Sequence, residues 1–331
     1  MPAEAPHSAE PLYPAPPWSW AERRALFHHW VREPLLAGLS DVLPHQGMRL
    51  LPVDAVSALG ARLGMKAGAS RPEASERARA LFRQLRPEAT ADAIERMLDA
   101  HWRHVGRCFA EFSCLDRLWP RVTVDGLQNL EAPRRAGRPV LIAGLHVGYW
   151  ELVHLALARL RIPATGIYQR QPNRFRMKIA IAARERSWRG GIPVRQLLPT
   201  SAALFAAQRV LSKPDGVMLY YVDEYWEGRV HAPALGRAPR PEGNIAKAVR
   251  LAAASGAAVI PCYALRVGDA ARFRLVFAPE VPMGPPGRGR AGAVADQATL
   301  DAAMEQVVRA TPEQWFMAHV FRPDAGPDHG G

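Results

Sequence analysis

Lysine and cysteine are scarce in this sequence. Only four of its 331 residues are Lys, so nearly all of the 43 basic residues are Arg. The three cysteines, Cys108, Cys114 and Cys262, are odd in number and lack the spacing of zinc ligands. This argues against a disulfide framework and against a structural zinc site. We expect reduced, buried thiols in a cytosolic chain.

Long apolar runs are also missing. No stretch of about 18 residues is free of both charges and helix breakers, so we predict no transmembrane helix. The longest uncharged run, 251–265, is interrupted by Gly256 and Pro261. The first residues, MPAEAPHSAE, lack a basic segment followed by an apolar one, so we expect no secretory signal.

The sequence does have a large excess of positive charge, with a formal net charge of +12 and a pI near 10.3. With 48% hydrophobic and 22% charged residues, it belongs to a folded chain of one large domain or two ordinary ones. The charge favours nucleic acid, an anionic membrane or an acidic protein as partner. Arg-rich usage is also typical of a GC-rich genome, so the location of the charge decides its meaning.

Four regions follow one another along the chain. Residues 1–18 are rich in proline and are predicted to form a flexible tail, as are residues 323–331. Residues 19–119 form a helical N-terminal portion, in which Pro72 begins one helix and a second helix covers about 90–112. Residues 120–322 alternate short apolar strands with helices.

This alternation predicts an α/β fold, with a largely parallel sheet flanked by helices on both faces. The predicted strands are 122–124, 140–145, 167–168, 217–222, 259–264 and 273–277. The predicted helices of this region are 150–160, 175–188, 201–211, 244–255 and about 296–310, the last after a Pro/Gly loop at 281–292.

The strongest chemical motif is HVGYWE, which follows the buried strand 140–145. His146 would stand at the carboxyl end of a strand, where open parallel sheets gather their chemistry. Residues five apart on one helix face different directions, so His146 and Glu151 meet only if the His lies on the loop and the Glu in the first helical turns. Gly148 permits that bend. A carboxylate-oriented His takes protons from hydroxyls; alternatively, Glu151 is only a favourable first-turn charge.

HVGYWE resembles the H-x4-E motif of the bacterial lipid A late acyltransferases, within the wider lysophospholipid/glycerophosphate acyltransferase group. The resemblance covers about residues 45–322. It continues in the segment 168–173 (YQRQPN), in the pair Arg184 and Arg186, in a strand ending at Asp223, in VHAPALG at 230–236 and in LAAASGAAVIP at 251–261. Three features depart from the family: Tyr149 replaces an Asn, Ala234 and Leu235 replace an aromatic pair, and the N-terminal membrane helix is missing.

The resemblance implies a glycerol-3-phosphate acyltransferase-like core and the transfer of a fatty acyl chain from a thioester to a hydroxyl. The donor would be acyl carrier protein or acyl-CoA, and the acceptor a lipid similar to a lipid A precursor. His146 would be the general base, oriented by Glu151. The implied substrate-binding residues are Gly148, Tyr149, Asn173, Arg184, Arg186 and Asp223. No cofactor and no metal is implied. A different acceptor lipid, or a non-catalytic lipid-binding role, remains an alternative.

Most of the charge excess lies between 161 and 195, where nine basic residues accompany one acidic residue. Apolar residues are interleaved with them, a composition that suits an anionic lipid surface or an acidic carrier protein. An ordinary solvated helix is the alternative, and no motif supports nucleic-acid binding. We therefore expect a peripheral protein on the cytoplasmic face of the inner membrane. The N-terminal Trp18, Trp20, Trp30 and Phe27 would either pack on the core or sit at the membrane interface.

Two further patterns carry little weight. Gly287 to Gly292 formally matches a G-x-G-x-x-G nucleotide motif, but it follows a Pro-rich loop and not a strand. Glu151 and His154 have the spacing of a di-iron ligand pair, but the sequence holds no second such pair.

Overall fold

A computed structural model describes residues 19–169, 171, 173–197, 201–226, 229–237, 240–241, 243–285 and 288–322. The two predicted tails, Arg170, Trp18 and the first glycine of the G-x-G-x-x-G pattern therefore lie outside the described residues.

The N-terminal portion is helical, as predicted. Residues 20–49 form a run of α-helical turns joined by π-helical ones. The α-helices up to residue 111 are α1 (Trp20–Phe27), α2 (Glu33–Ala37), α3 (Leu43–Arg49), α4 (Val53–Ala69), α5 (Pro72–Leu85) and α6 (Ala91–Glu111). Helix α5 begins at the predicted Pro72, and the Thr90 hydroxyl caps α6 by accepting a hydrogen bond from the Ala93 N–H at 3.3 Å. The predicted helices at 72 and 90–112 are thus confirmed.

Helices α4 and α6 pack with their backbones in close contact. A methyl group added at Gly64 would lie 2.0 Å from the Trp102 carbonyl oxygen, and one at Gly106 would lie 2.1 Å from the Gly60 carbonyl oxygen. Only glycine permits this close approach of the two backbones.

Strands and helices alternate from residue 122 onward. The strands are β1 (Val122–Asp125), β2 (Val140–Gly148), β3 (Ala164–Ile167), β4 (Arg195–Leu197), β5 (Val217–Tyr221), β6 (Tyr225–Trp226), β7 (Arg229–Val230), β8 (Ala258–Arg266) and β9 (Phe273–Phe277). The helices are α7 (Leu127–Arg135), α8 (Glu151–Arg159), α9 (Arg174–Ser187), α10 (Ser201–Leu211), α11 (Gly243–Ser255) and α12 (Gly289–Ala310).

Among the described residues, seven strands form one sheet in the order β1-β9-β8-β2-β5-β3-β4. All neighbouring pairs are parallel except β8 and β9, which are antiparallel. Strands β6 and β7 form a separate antiparallel pair. The predicted α/β class with a largely parallel sheet is confirmed.

Apolar layers cover both faces of the sheet. In β2, Leu141, Ala143 and Leu145 pack into one core cluster, while Val140 and Ile142 pack into the other. The first cluster also contains side chains of α5 and α6, so the helical N-terminal portion shares a core with the sheet. Burial on both faces explains why β2 is a continuous apolar run rather than an alternating one.

Some elements were not predicted. Strand β4 has three residues at the edge of the sheet, and α7 is polar and contains Pro133, so neither carries a strong periodic pattern. Helix α12 begins at Gly289 and not near Asp296, because its first turn contains two glycines that the sequence pattern assigned to a loop.

Candidate active site

His146 and Asp223 meet because of the register of two neighbouring strands. Strands β2 and β5 are parallel, and Gly144 lies opposite Tyr221. His146 and Asp223 each lie two residues beyond this pair. His146 Nδ1 donates to Asp223 Oδ1 at 2.8 Å, and the His146 backbone N–H donates to Asp223 Oδ2 at 2.9 Å. The carboxyl ends of two parallel strands therefore bring an imidazole and a carboxylate together.

Asp223 is completely buried and is held by a third donor. The Trp315 indole donates Nε1–H to Asp223 Oδ2 at 2.8 Å, and Trp315 forms a β-bridge with Val147, next to His146. Three N–H groups thus fix the position of one buried carboxylate. That carboxylate in turn fixes the His146 tautomer that carries its proton on Nδ1.

The imidazole of His146 is packed between aromatic rings but remains open on one side. Its ring centroid lies 4.5 Å from that of Tyr221 and 5.3 Å from that of Trp150. The side chain keeps 18% of its surface exposed. Within the described part of the chain, Nε2 has no hydrogen-bond partner, so it is the nitrogen open to a substrate proton.

Glu151 has a different partner from the expected one. Its carboxylate accepts two hydrogen bonds from Arg184, at 3.0 Å from Nε and 2.6 Å from Nη2, and no hydrogen bond among the described residues joins Glu151 to His146. The physical reason is that β2 continues to Gly148, so His146 lies within the strand and not on a loop beside α8. Glu151 opens α8, which packs against the α9 helix that carries Arg184.

The Glu151–Arg184 pair is a buried ion pair. The two side chains are 8% and 12% exposed. Burial alone raises the pKa of Glu151, but the charge and the hydrogen bonds of Arg184 outweigh it and hold the pKa below its usual value. Glu151 is therefore ionised at neutral pH, and its bidentate contact fixes the guanidinium plane of Arg184.

Gly148 and Tyr149 are both enclosed. Gly148 has φ +64°, and a methyl group there would lie 1.8 Å from the Ala264 carbonyl oxygen, so this position requires glycine. The Tyr149 side chain is buried against Phe273, where burial raises its pKa well above the usual value. The structure therefore places Tyr149 in the core behind the site and not on the surface around His146.

Asn173 and Arg186 lie away from the His146 imidazole. The Asn173 side-chain Oδ1 accepts from the backbone N–H groups of Phe175 and Arg176 at 3.0 and 2.8 Å, which makes Asn173 the N-cap of α9. The Arg186 Nη2 lies 3.5 Å from His45 Nε2, toward α3. Because Arg184 and Arg186 are two residues apart on a helix, only Arg184 reaches Glu151.

Two residues of this site were missed in the sequence. Trp315 comes from the C-terminal segment, 92 residues from the aspartate it contacts, and no local pattern marks it. Tyr221 stacks on His146 and was assigned only to a strand. No group of three or more His, Cys, Asp or Glu side chains able to hold a metal ion occurs among the residues that the structure describes.

The sheet with a His–carboxylate pair at the carboxyl ends of its strands defines an enzyme-like site, and comparison with known proteins defines its family. The model of the family "Bacterial lipid A biosynthesis acyltransferase" matches residues 43–320. The chain is 25% identical over 277 residues to the lipid A biosynthesis palmitoleoyltransferase of Escherichia coli (strain K12), which covers 81% of this chain and 85% of that relative. The lipid A biosynthesis acyltransferase of Shigella flexneri matches equally well.

The chain belongs to the bacterial lipid A biosynthesis acyltransferase family, and it is an acyltransferase. The family resemblance seen in the sequence is thereby confirmed. No helix among the described residues combines the length and the apolar character needed to cross a bilayer.

Proposed function

We propose that this chain transfers a fatty acyl group from an acyl thioester to a hydroxyl of a lipid acceptor, with His146 as the general base. The observation that carries the proposal is the His146–Asp223 pair. Its Nδ1–H is fixed by a buried carboxylate, and its Nε2 is open. This is the arrangement that a hydroxyl-activating histidine requires.

In the proposed reaction the acceptor hydroxyl oxygen attacks the thioester carbonyl carbon while His146 Nε2 takes the hydroxyl proton. The tetrahedral intermediate then collapses, the carbon–sulfur bond breaks, and the thiolate leaves with the proton returned by His146. Asp223 stabilises the imidazolium formed between these steps. Since the hydroxyl itself is the nucleophile, no covalent acyl-enzyme is needed.

We propose that Glu151 acts through Arg184. Glu151 engages Nε and Nη2 of the guanidinium, which leaves Nη1 outside the ion pair. A positive charge fixed by Glu151, five residues from the base, suits the oxyanion of the tetrahedral intermediate or a phosphate of the acceptor. Glu151 is then a positioning residue, and the carboxylate that orients the base is Asp223.

The proposed location is the cytoplasmic face of the inner membrane, with peripheral attachment. The α1–α3 run exposes a series of large apolar side chains, among them Trp20 at 86%, Phe27 at 60% and Leu35 at 61% exposure. The basic segment 161–195 contains α9. An ion pair between Arg176 of α9 and Asp41 joins α9 to the α1–α3 run. Apolar residues next to basic ones are typical of helices that lie on anionic bilayers.

We also propose the identities of the acyl donor and the acyl acceptor. The basic segment favours the acidic acyl carrier protein over CoA as the acyl donor. The names of the relatives favour a lipid A precursor as the acceptor, with another lipid or glycolipid as the alternative.

A thioester-consumption assay tests the proposed function. Purified protein is given acyl carrier protein or CoA thioesters together with a lipid A precursor, a glycolipid or a phospholipid, and the products are identified by mass spectrometry. We expect acylation of a hydroxyl in one lipid class, and none with His146→Ala. A folded His146→Ala protein that transfers acyl chains at the wild-type rate would rule out His146 as the base.

A further inference from the structure

A groove with three arginines lies on the α4–α6 seam, outside the candidate active site. It has a volume of about 380 Å³. Its lining consists of Ala58, Ala61, Arg62 and Met65 from α4 and Arg103 and Arg107 from α6. The close glycine contacts between the helices bring these side chains to one edge of the seam.

The charges of this groove are poorly compensated. In the described part of the chain, Arg62 and Arg103 form no hydrogen bond or ion pair. Arg107 forms an ion pair with Asp269 at 3.2 Å, and that carboxylate is 95% exposed, so the pair is weak. The Arg107 side chain is 11% exposed, and its buried Nε has no partner among the described residues. None of the six described residues that line the groove is a carboxylate.

Arg62 and Arg103 are exposed and Arg107 is largely buried, so the three guanidinium groups present a concentrated positive charge to an anion that enters the groove. Guanidinium groups bind phosphate through paired hydrogen bonds, which makes a phosphate group the best match. The floor of Ala58, Ala61 and Met65 is apolar. A ligand that fits this surface combines a phosphate with an apolar part.

We propose that the α4–α6 groove binds the phosphate group of an anionic phospholipid. The arginines would hold the phosphate, and the apolar floor of Ala58, Ala61 and Met65 would contact the beginning of the acyl chains. This site would be separate from the acyl-transfer site and does not depend on the proposed reaction.

Calorimetric titration with monomeric short-chain lipids tests this site, because single lipid molecules bind without a bilayer. Dihexanoylphosphatidylglycerol is titrated below its micelle concentration, with dihexanoylphosphatidylcholine and glycerol 3-phosphate as comparisons. We expect the anionic lipid to bind more tightly than either comparison. Arg62→Gln with Arg103→Gln should weaken it about tenfold or more, since two charge-assisted contacts are lost.

The matched control is Arg96→Gln with Arg272→Gln, which removes the same charge from exposed positions outside the groove. The control should bind within about twofold of the wild type. Equal weakening in both double variants would show a general charge effect and overturn the site. Equal affinity for the two lipids would overturn the assignment to an anionic lipid, because phosphatidylcholine has the same phosphate but carries a compensating positive charge on its choline. Binding of glycerol 3-phosphate as tight as that of the lipid would overturn the assignment to a lipid.

Discussion

At the scale of single residues, Gly148 is the most confined position next to His146. Its φ of +64° and the 1.8 Å approach of an added methyl group to the Ala264 carbonyl oxygen both oppose any side chain. Its own carbonyl oxygen accepts a hydrogen bond from His104 Nε2 at 2.9 Å. The turn between β2 and α8 is thus tied to β8 and to α6.

Gly148→Ala should therefore be much more destabilising than a glycine substitution where only the backbone angle matters. Gly137 is the matched control, because it has φ +71° and open space around it. We expect Gly137→Ala to lower the free energy of unfolding by about 1 kcal/mol and Gly148→Ala by several times as much. Urea unfolding measures both; equal losses would contradict the close packing at Gly148.

His154 is a buried histidine behind the site. Its ring stacks on Tyr221, and neither ring nitrogen has a hydrogen-bond partner among the described residues. Burial lowers its pKa to about 4; Glu151 opposes this shift, whereas Arg184 and His146 add to it. A folded-state pKa below the unfolded value of about 6.5 means that the unfolded chain takes up this proton first.

Stability should therefore fall as the pH drops from about 6.5 toward 4. Between pH 7 and pH 5 this single group costs about 2 kcal/mol. His154→Phe keeps an aromatic ring against Tyr221 and removes the titration, so its unfolding free energy should fall by about 2 kcal/mol less than that of the wild type. Urea unfolding at both pH values tests this. The variant of the exposed His28, His28→Phe, should lose as much unfolding free energy between pH 7 and pH 5 as the wild type. An equal loss in His154→Phe would exclude His154 as the cause.

The residue that the sequence could not identify is the partner of His146. A five-residue spacing suggested Glu151, whereas the register of β2 and β5 selects Asp223, 77 residues away. The local sequence identifies both carboxylates as candidate site residues. Which of them contacts His146 depends on which strands are neighbours in the sheet. That choice is set by the packing of the whole sheet.

At the scale of elements, a second buried ion pair joins α6 to β8. The guanidinium of Arg266 donates to both oxygens of Glu111, at 2.9 and 2.6 Å, and the two side chains are 4% and 0% exposed. Strand β8 is the neighbour of β2, so this pair connects the helical N-terminal portion to the strand beside His146.

Removing one charge of that pair should be costly, because the other remains buried without compensation. We expect Glu111→Gln to lower the free energy of unfolding by about 3–5 kcal/mol. Asp54→Asn is the control: its two-bond contact with Arg121 is exposed, and its loss should cost less than about 1 kcal/mol. Chemical denaturation measures the free energy of unfolding of both variants. A Glu111→Gln protein as stable as Asp54→Asn would contradict the cost of leaving Arg266 unpaired.

Elements with strong local patterns were predictable, and weak ones were not. Helix α5 has a proline start and α6 a threonine cap, and the buried strands are uninterrupted apolar runs. The short edge strand β4 forms because it pairs with β3, and a local sequence pattern cannot predict that pairing.

At the scale of the whole molecule, the exposed apolar side chains of α1–α3 are the main candidate for membrane attachment. Leu35, Leu36 and Leu39 are 61%, 51% and 59% exposed. Burial of half of each side chain in the interface would contribute about 1 kcal/mol per residue.

Replacing these three leucines by serine should thus weaken binding to anionic vesicles by about 3 kcal/mol, about a hundredfold. The control replaces three exposed apolar residues elsewhere by serine: Phe205, Val267 and Val294, which are 70%, 52% and 52% exposed. Vesicle sedimentation compares the two triple variants. Equal loss, or no loss, would place the attachment elsewhere on the molecule.

The rate of acyl transfer by Asp223→Asn under single-turnover conditions tests whether the His146–Asp223 pair activates the acceptor hydroxyl. Three N–H donors converge on the Asp223 carboxylate, and an amide offers them only one acceptor oxygen. We expect transfer to fall about 10³- to 10⁴-fold in protein whose circular dichroism shows an intact fold. Transfer by folded Asp223→Asn at the wild-type rate would contradict the proposal that the His146–Asp223 pair activates the acceptor hydroxyl.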